Sequence, residues 1–327
     1  MSAKKLKVVV TRKLPAPVEL RLKELFDARL NNDDHPFTQE ELVEAMQTAD
    51  VLVPTVTDKL DRRIMARAGD QLRLIAQFGA GVDNIDVQSA VQRGITVTNT
   101  PGVLTDDTAD VAMALILSVP RRLFEGAQIM NTGGFDGWTP TWMMGRRLAG
   151  KRLGIIGMGR IGQAVAYRAK AFGLDIVYHN RKRQPEAVER MFGATYVDTL
   201  GELLETADIL TLHCPSNPQS HHMIDRQAIG RMKDGACLIN TARGDLVEQE
   251  ALVAALESGK LAGAGLDVYP DEPNVDPRLI RHPNVMTLPH IGSATREGRE
   301  ESGLKVIANI RMWVDGHRPP DQVLTGL

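Results

Sequence analysis

The sequence predicts an α/β protein made of two doubly wound parallel sheets. Short β-branched runs recur between stretches of helical periodicity, and this alternation occurs twice, with a glycine motif opening the second series. Size agrees, because 327 residues exceed what a single core ordinarily serves.

In the first series the strands are Lys7–Val10, Val51–Val53, 72–76 and 95–98, with helices predicted over 18–30 and 40–48. Strands joined by crossover helices pair in parallel and are covered on both faces, which is why they read as near-continuous apolar runs. Val18, Leu22, Leu25, Phe26 and Leu30 fall near helical spacing and give the first helix one face for the sheet. A helix over about 104–119 and a loop rich in Gly and Trp at 132–145 lead to the second series. Its strands are Arg152–Ile156, 175–178, Ile209–Leu212, 236–239, 263–266 and 285–288. The last helix, 295–315, has no second-series strand after it and can return to pack on the first domain. The reading is therefore one domain from residues 1–99 and 289–327, with a second, 100–288, inserted in it. A cleft between the two is the expected place for a ligand.

Composition excludes several classes. The formal net charge is -2, with 39 basic and 41 acidic residues, so no global field would hold nucleic acid or an anionic membrane. The longest apolar stretch, 111–119, is far below the roughly 18 residues of a membrane span and reads as a buried helix. The lysines at the start precede too short an apolar strand for an export signal. Cys214 and Cys237 show no C-x-x-C spacing, which argues against a disulfide framework, and a reducing, cytoplasmic setting is expected. His213, His221 and His222 lack companions at metal-ligand spacing, so no metal is assigned.

Gly157-Met158-Gly159-Arg160-Ile161-Gly162 places G-x-G-x-x-G directly after a strand and at the mouth of a helix running to Phe172. Gly157 allows the tight turn, Gly159 lets the backbone approach a pyrophosphate, and Gly162 lets helix and strand pack closely. An Asp or Glu that would bind a ribose 2'-hydroxyl usually stands at the end of the next strand. Here that strand ends in His179-Asn180-Arg181-Lys182-Arg183. No carboxylate repels a phosphate there and three cations stand ready to pair with one, so NADP(H) is expected in preference to NAD(H). The competing reading is a solvated charged loop.

A dinucleotide domain serves hydride transfer, and a carbonyl that takes up hydride needs a cation beside it, a proton donor for the developing alkoxide, and a group that keeps the donor charged. Three turns at strand ends offer these: Asn240-Thr241-Ala242-Arg243-Gly244, Asp267-Val268-Tyr269-Pro270-Asp271-Glu272-Pro273 and Pro289-His290-Ile291-Gly292. Ligands of open α/β sheets bind beyond the carboxyl ends of strands, so the turns should converge. A carboxylate beside an imidazole favours the imidazolium, so Glu272 should keep His290 charged. Arg243 offers a planar fork that a Lys would not reproduce. Taken singly, the three could equally be a structural ion-pair carboxylate, a core histidine and a surface cation.

Together with the glycine motif, these segments make the chain resemble the D-isomer-specific 2-hydroxyacid dehydrogenase family over essentially its whole length. Within the family it is most similar to the glyoxylate/hydroxypyruvate reductases, through Asn99-Thr100-Pro101-Gly102-Val103-Leu104-Thr105, the Trp138 and Trp142 loop, and Asn180-Arg181. The resemblance implies a Rossmann-type cofactor domain set into a flavodoxin-like one. It implies Arg243 as substrate clamp, His290 as proton donor in reduction and Glu272 as the partner of His290. It adds cofactor contacts at Thr108, Arg160, Ile161, Cys214, Pro215, Thr241, Ala242, Asp267 and Gly292. For the substrate it implies the backbone amides of Ala80 and Gly81, in a loop that could otherwise be an ordinary tight turn. A pocket lined by Val53 and its successors, with Trp138 and Trp142 on an arm reaching a partner subunit, is implied too, or else simple dimer packing or core for the arm. A homodimer follows from the same likeness. Glu272 in place of a Gln separates the chain from the formate dehydrogenases. Phosphoglycerate as substrate would call for basic residues near Pro54, and none stands at 54–57. A corepressor-like scaffold that senses NAD is the alternative from another functional class.

Overall fold

In the computed structural model residues 5–324 are described. They form two units, one running to Leu104 and resuming at Ala294, the other Thr105–Ser293. Among the described residues no helix is long and apolar enough to cross a membrane.

The first unit is a five-stranded parallel sheet. Its strands β1 (Lys7–Val10), β2 (Asp27–Arg29), β3 (Val51–Val53), β4 (Leu74–Ala76) and β5 (Thr96–Thr98) lie in the order β2-β1-β3-β4-β5. Between them run α1 (Ala16–Leu25), α2 (Gln39–Thr48), α3 (Arg62–Ala66) and α4 (Val87–Gln92). Alternate side chains of each strand go to opposite faces. Val9, Leu52, Ile75 and Val97 therefore pack with Leu42 and Met46 of α2 and Ile64 of α3. On the other face Val8, Val10, Val51, Val53 and Leu74 meet Val18 and Leu22 of α1. A capping box starts α2: the Thr38 hydroxyl accepts from the Glu41 amide, while the Thr38 amide donates to the Glu41 carboxylate.

The helix predicted over 18–30 ends at Leu25. Phe26 is extended, and residues 27–29 pair with β1 in the register Lys7↔Asp27. Phe26, Ala28 and Leu30 lie four and two residues apart, so they fit a helix or a strand face; inward Phe26, Ala28 and Leu30 alternate with exposed Asp27 and Arg29. Pairing with the edge of β1 decides in favour of the strand.

The second unit opens with α5 (Thr105–Arg121) and α6 (Leu123–Asn131). Its sheet comprises β6 (Arg152–Ile156), β7 (Asp175–His179), β8 (Ala194–Tyr196), β9 (Ile209–Leu212), β10 (Ala236–Asn240), β11 (Leu261–Leu266) and β12 (Val285–Thr287). The helices are α7 (Arg160–Ala171), α8 (Glu186–Phe192), α9 (Leu200–Thr206), α10 (Arg226–Arg231), α11 (Gln249–Glu257) and α12 (Pro277–Arg281). The strand order is β12-β11-β10-β9-β6-β7-β8, all parallel, with the direction of winding reversing between β6 and β9. Leu153, Ile155, Ile176, Tyr178 and Ile239 pack against α5 and α7 on one face, and Leu210, Leu212, Leu238 and Leu266 against α9 to α11 on the other. The sequence reading missed α6, which buries no side chain, and β8, a three-residue edge strand. β8 is too short to show a period, and α6 buries none of its apolar side chains against the core.

The chain then returns to the first unit through α13 (Arg296–Val314), capped by Thr295. Val306, Ile307 and Ile310 join the α1 face of the five-stranded sheet. Gly303 lets α13 approach α1 closely, since a Cβ there would meet the Val18 side chain.

Candidate active site

A reversal of winding leaves a crevice beyond the carboxyl ends of the strands beside it, where ligands of such sheets bind. The glycine motif stands there, at the end of β6. Gly157 has φ 96°, and a Cβ on it would lie 2.6 Å from the Cys214 amide nitrogen. A Cβ on Gly162 would collide with the Gly157 carbonyl. Gly159 has nothing within 4 Å of its Cβ position, and no side chain caps the start of α7. An open glycine before an uncapped helix N-terminus suits a diphosphate, so the residues present fit a dinucleotide.

The strands further along carry the ionisable groups. Asn240 ends β10 and braces the turn after it: its Oδ1 accepts from the Ala242 amide at 3.0 Å and its Nδ2 donates to the Arg243 carbonyl at 2.8 Å. Arg243 Nη1 donates to the Ala242 carbonyl at 2.7 Å. Gly244 follows because the Tyr269–Pro270 backbone occupies the place of a Cβ, so the turns after β10 and β11 are in direct contact. The Tyr269 hydroxyl lies 3.1 Å from the Leu266 carbonyl and 2.9 Å from that of Leu288, which ties the ends of β11 and β12 together.

His290 Nδ1 sits 2.6 Å from Glu272 Oε2, and Oε1 of the same carboxylate accepts from the Tyr269 amide at 2.9 Å. Each of the two side chains is one-third exposed. Burial pushes the Glu272 carboxyl up, but the bonds from His290 and Tyr269, with the charges of His290 and Arg243, outweigh it and hold the group below the usual carboxylate range. His290 itself has φ 55°, a left-handed conformation that a non-glycine residue adopts only when its surroundings impose it. Asp267 imposes it. This carboxylate, 1% exposed, accepts from the amides of Ile291 at 2.8 Å and Gly292 at 2.7 Å, the two residues after His290. Burial raises the Asp267 carboxyl above its ordinary value, with the two amides acting against it.

Residues 113–292 match the domain described as "D-isomer specific 2-hydroxyacid dehydrogenase, NAD binding domain". A glyoxylate reductase of Thermococcus litoralis is 44% identical over 97% of this chain and 96% of its own. The chain belongs to the D-isomer specific 2-hydroxyacid dehydrogenase family. Among solved structures, a glyoxylate reductase from Paecilomyes thermophila superposes with a TM-score of 0.88 at 34% identity, covering 99% of both chains. An NADPH-dependent glyoxylate/hydroxypyruvate reductase from Sinorhizobium meliloti, solved with citrate, gives 0.85 at 33% identity and covers 98% of both.

In this 2-hydroxyacid dehydrogenase the remaining candidate residues fall as follows. Arg160 and Ile161 begin α7, and Thr108, 8% exposed, lies in the first turn of α5 close to Gly292. Cys214 and Pro215 follow β9, and burial pushes the Cys214 thiol up to about 11, so it stays protonated. Both cysteines are free. The neighbouring His213 is pushed down to about 3 by burial and stays neutral beside Thr211. Thr241 and Ala242 follow β10, with Thr241 buried. The sites named for the cofactor domain thus share one edge of the seven-stranded sheet. Among the described residues no group of three His, Cys, Asp or Glu side chains could hold a metal ion.

After β7, Asn180 accepts from the Met158 amide at 2.7 Å and so belongs to the glycine turn as well as to the charged loop. Arg181 and Lys182 are exposed. Arg183 is withdrawn from the three cations counted in the sequence, because Glu189 takes it in a two-pronged pair with both contacts at 2.8 Å. That partner lies six residues on, in the next helix, beyond the reach of a motif reading.

The five-stranded unit has its own cluster. Val53, expected to line a pocket, is fully buried in the sheet core, so what this segment exposes begins with the loop after it. Asn84 Nδ2 donates to the carbonyls of Thr55 and Asp58, and its Oδ1 accepts from Gln77 at 2.9 Å. Gln77 also reaches the Gly81 carbonyl at 3.3 Å, and Asn99 donates to the Ala80 carbonyl at 2.6 Å. Trp138 and Trp142, in the second unit, are 79% and 40% exposed, with Trp142 against Phe135.

Proposed function

We propose that this dehydrogenase reduces glyoxylate and hydroxypyruvate to the 2-hydroxy acid, in the D configuration where the product is chiral, with NADPH in preference to NADH. The observation that carries the reading is the Glu272–His290 pair at 2.6 Å on the turn next to Arg243. A bound nicotinamide supplies the hydride. Because Nδ1 faces Glu272, His290 Nε2 delivers the proton to the alkoxide oxygen formed when the carbonyl carbon accepts hydride. Glu272 holds the ring through Nδ1 and so orients it, and Arg243 holds the carboxylate and polarises the carbonyl.

The unit with the five-stranded sheet acts as the substrate domain and the other as the cofactor domain. The amides of Ala80 and Gly81 bind the substrate carboxylate, their carbonyls being already held by Asn99 and Gln77. The cofactor's phosphates rest on Gly157, Gly159 and the start of α7, and a 2'-phosphate on Arg181 and Lys182. The apolar surface of Trp138, Trp142 and Met144 supports a second copy of the chain as its cover, hence a homodimer, and the two free cysteines suit a reducing, cytoplasmic setting.

Initial rates of NADPH and NADH oxidation with glyoxylate, hydroxypyruvate, pyruvate and phenylpyruvate, beside a His290→Ala control, test this. Fast NADPH turnover on the two small acids, lost in the control, is the expected result. Turnover on none of the acids overturns it.

A further inference from the structure

The loop from Asn180 to Gln184 is fastened at its two ends by two tyrosines, Tyr196 at Asn180 and Tyr178 at Gln184. Tyr178, fully buried in β7, donates its hydroxyl proton to Glu189 Oε1 at 2.8 Å and accepts from the Gln184 amide at 2.9 Å. Glu189 then holds Arg183 through both carboxylate oxygens, at 2.8 Å each. The Arg183 guanidinium lies 5.6 Å from the ring centroid of Tyr196, whose hydroxyl donates to the Asn180 carbonyl at 3.4 Å. Between these anchors Arg181 and Lys182 form the exposed tip, and neither has an ion pair among the described residues.

We propose that Glu189 is a positioning residue for coenzyme choice: it neutralises and immobilises Arg183 as a brace, leaving Arg181 and Lys182 to bind the 2'-phosphate of the adenosine. The inference rests on the NADPH reading above. A phosphate would have to break a two-pronged carboxylate pair to recruit Arg183, and such pairs are among the stronger charge-assisted contacts. The Glu189 side chain is only 11% exposed. The Arg183 and Tyr178 bonds hold its carboxyl down at about 2, so it is an anion throughout the working range. Unpaired, that anion would repel a phosphate on the very loop meant to receive one. Arg183 therefore has a second role, which is to mask Glu189.

The test is a double-mutant cycle read in Michaelis constants for both coenzymes, with trypsin cleavage after Arg181 and Lys182 as an independent measure of loop order. Glu189→Gln should raise KM for NADPH about tenfold, leave KM for NADH within about twofold and kcat at saturation unchanged, and speed cleavage. Arg183→Leu should raise KM for NADPH more, because it unmasks the carboxylate. The pair Arg183→Leu with Glu189→Leu should recover part of that loss. A double variant no better than Arg183→Leu means that Arg183 binds the phosphate itself, and the proposal falls. It falls equally if Glu189→Gln shifts both coenzymes alike or leaves cleavage unchanged. Should the unmodified enzyme prefer NADH while cleavage still responds to Glu189→Gln, the NADPH reading fails, Glu189 is shown to order the loop, and its assigned role in coenzyme choice falls with that reading.

Discussion

At the ends of β10, β11 and β12 the groups equipped for chemistry are side chains, carried on turns that Asn240 and Asp267 brace. The Tyr269 amide fixes Glu272, and the amides of Ile291 and Gly292 are gathered by Asp267 so that His290 stands at φ 55°. At the ends of β3 and β4 the bracing is similar but the group on offer is different. There the loop 78–84 offers main chain, and Gln77, Asn84 and Asn99 tie its carbonyls and those of the preceding loop in place. Proton transfer needs an ionisable group, whereas a carboxylate can be bound by amides alone, so the two constructions suit different tasks. The difference also tells where substitution should act on turnover and where on binding.

The contrast breaks most visibly at His290. Replacing it with Ala should lower kcat about a thousandfold, within the 10²–10⁴ range of a positioned acid or base, while leaving KM for the coenzyme nearly unchanged. A loss below tenfold in the chemical step would place the donor elsewhere. Arg243→Lys keeps the charge but removes the planar fork, and kcat/KM for the keto acid should fall about a hundredfold. Recovery of most activity by Lys would show that Arg243 acts as a point charge only.

Much of this was legible beforehand, and the reasons differ by residue. Both sheets and the glycine turn could be read because apolar period and G-x-G-x-x-G act locally. Arg243, Glu272 and His290 could be located because each follows a strand, and a parallel sheet puts all strand ends on one edge. What bonds to them could not be read. Asp267 reaches amides 24 and 25 residues away, and nothing in its neighbourhood announces that task. Arg183 looked available because charge runs are read residue by residue, while Glu189 becomes its partner only once α8 folds back beside β7. The helix over 18–30 failed for the opposite reason: a local pattern fitted two periods, and pairing with β1 chose between them.

Asn84 sharpens the comparison from the main-chain side. Asn84→Ala takes a donor from the Thr55 and Asp58 carbonyls and an acceptor from Gln77, which keeps only its longer bond to the Gly81 carbonyl, a loss of about 1–3 kcal/mol in this partly buried setting. Substrate KM should rise about tenfold, kcat should change little, and the melting temperature should fall by several degrees. A drop in kcat with unchanged KM would mean that this loop serves turnover as the side-chain cluster does. Asn84→Asp adds a control. Its carboxylate would face the Thr55 and Asp58 carbonyls, and KM should improve as pH falls and the group regains a proton.

The smallest effect should come from Glu272. Its carboxyl is held below its ordinary value, so it remains an anion down through the usual carboxylate range, and its contribution is lost only as pH falls through that lowered value. Above it, the anion accepts the bond from His290 Nδ1 and holds the ring for proton transfer. Glu272→Gln keeps the shape and removes the charge, so the acid-side loss of this contribution should disappear from the rate profile. Because a third of each side chain is exposed and solvent screens the pair, kcat for reduction should fall only about fivefold. A loss as large as that of His290→Ala would show that Glu272 does more than hold the ring.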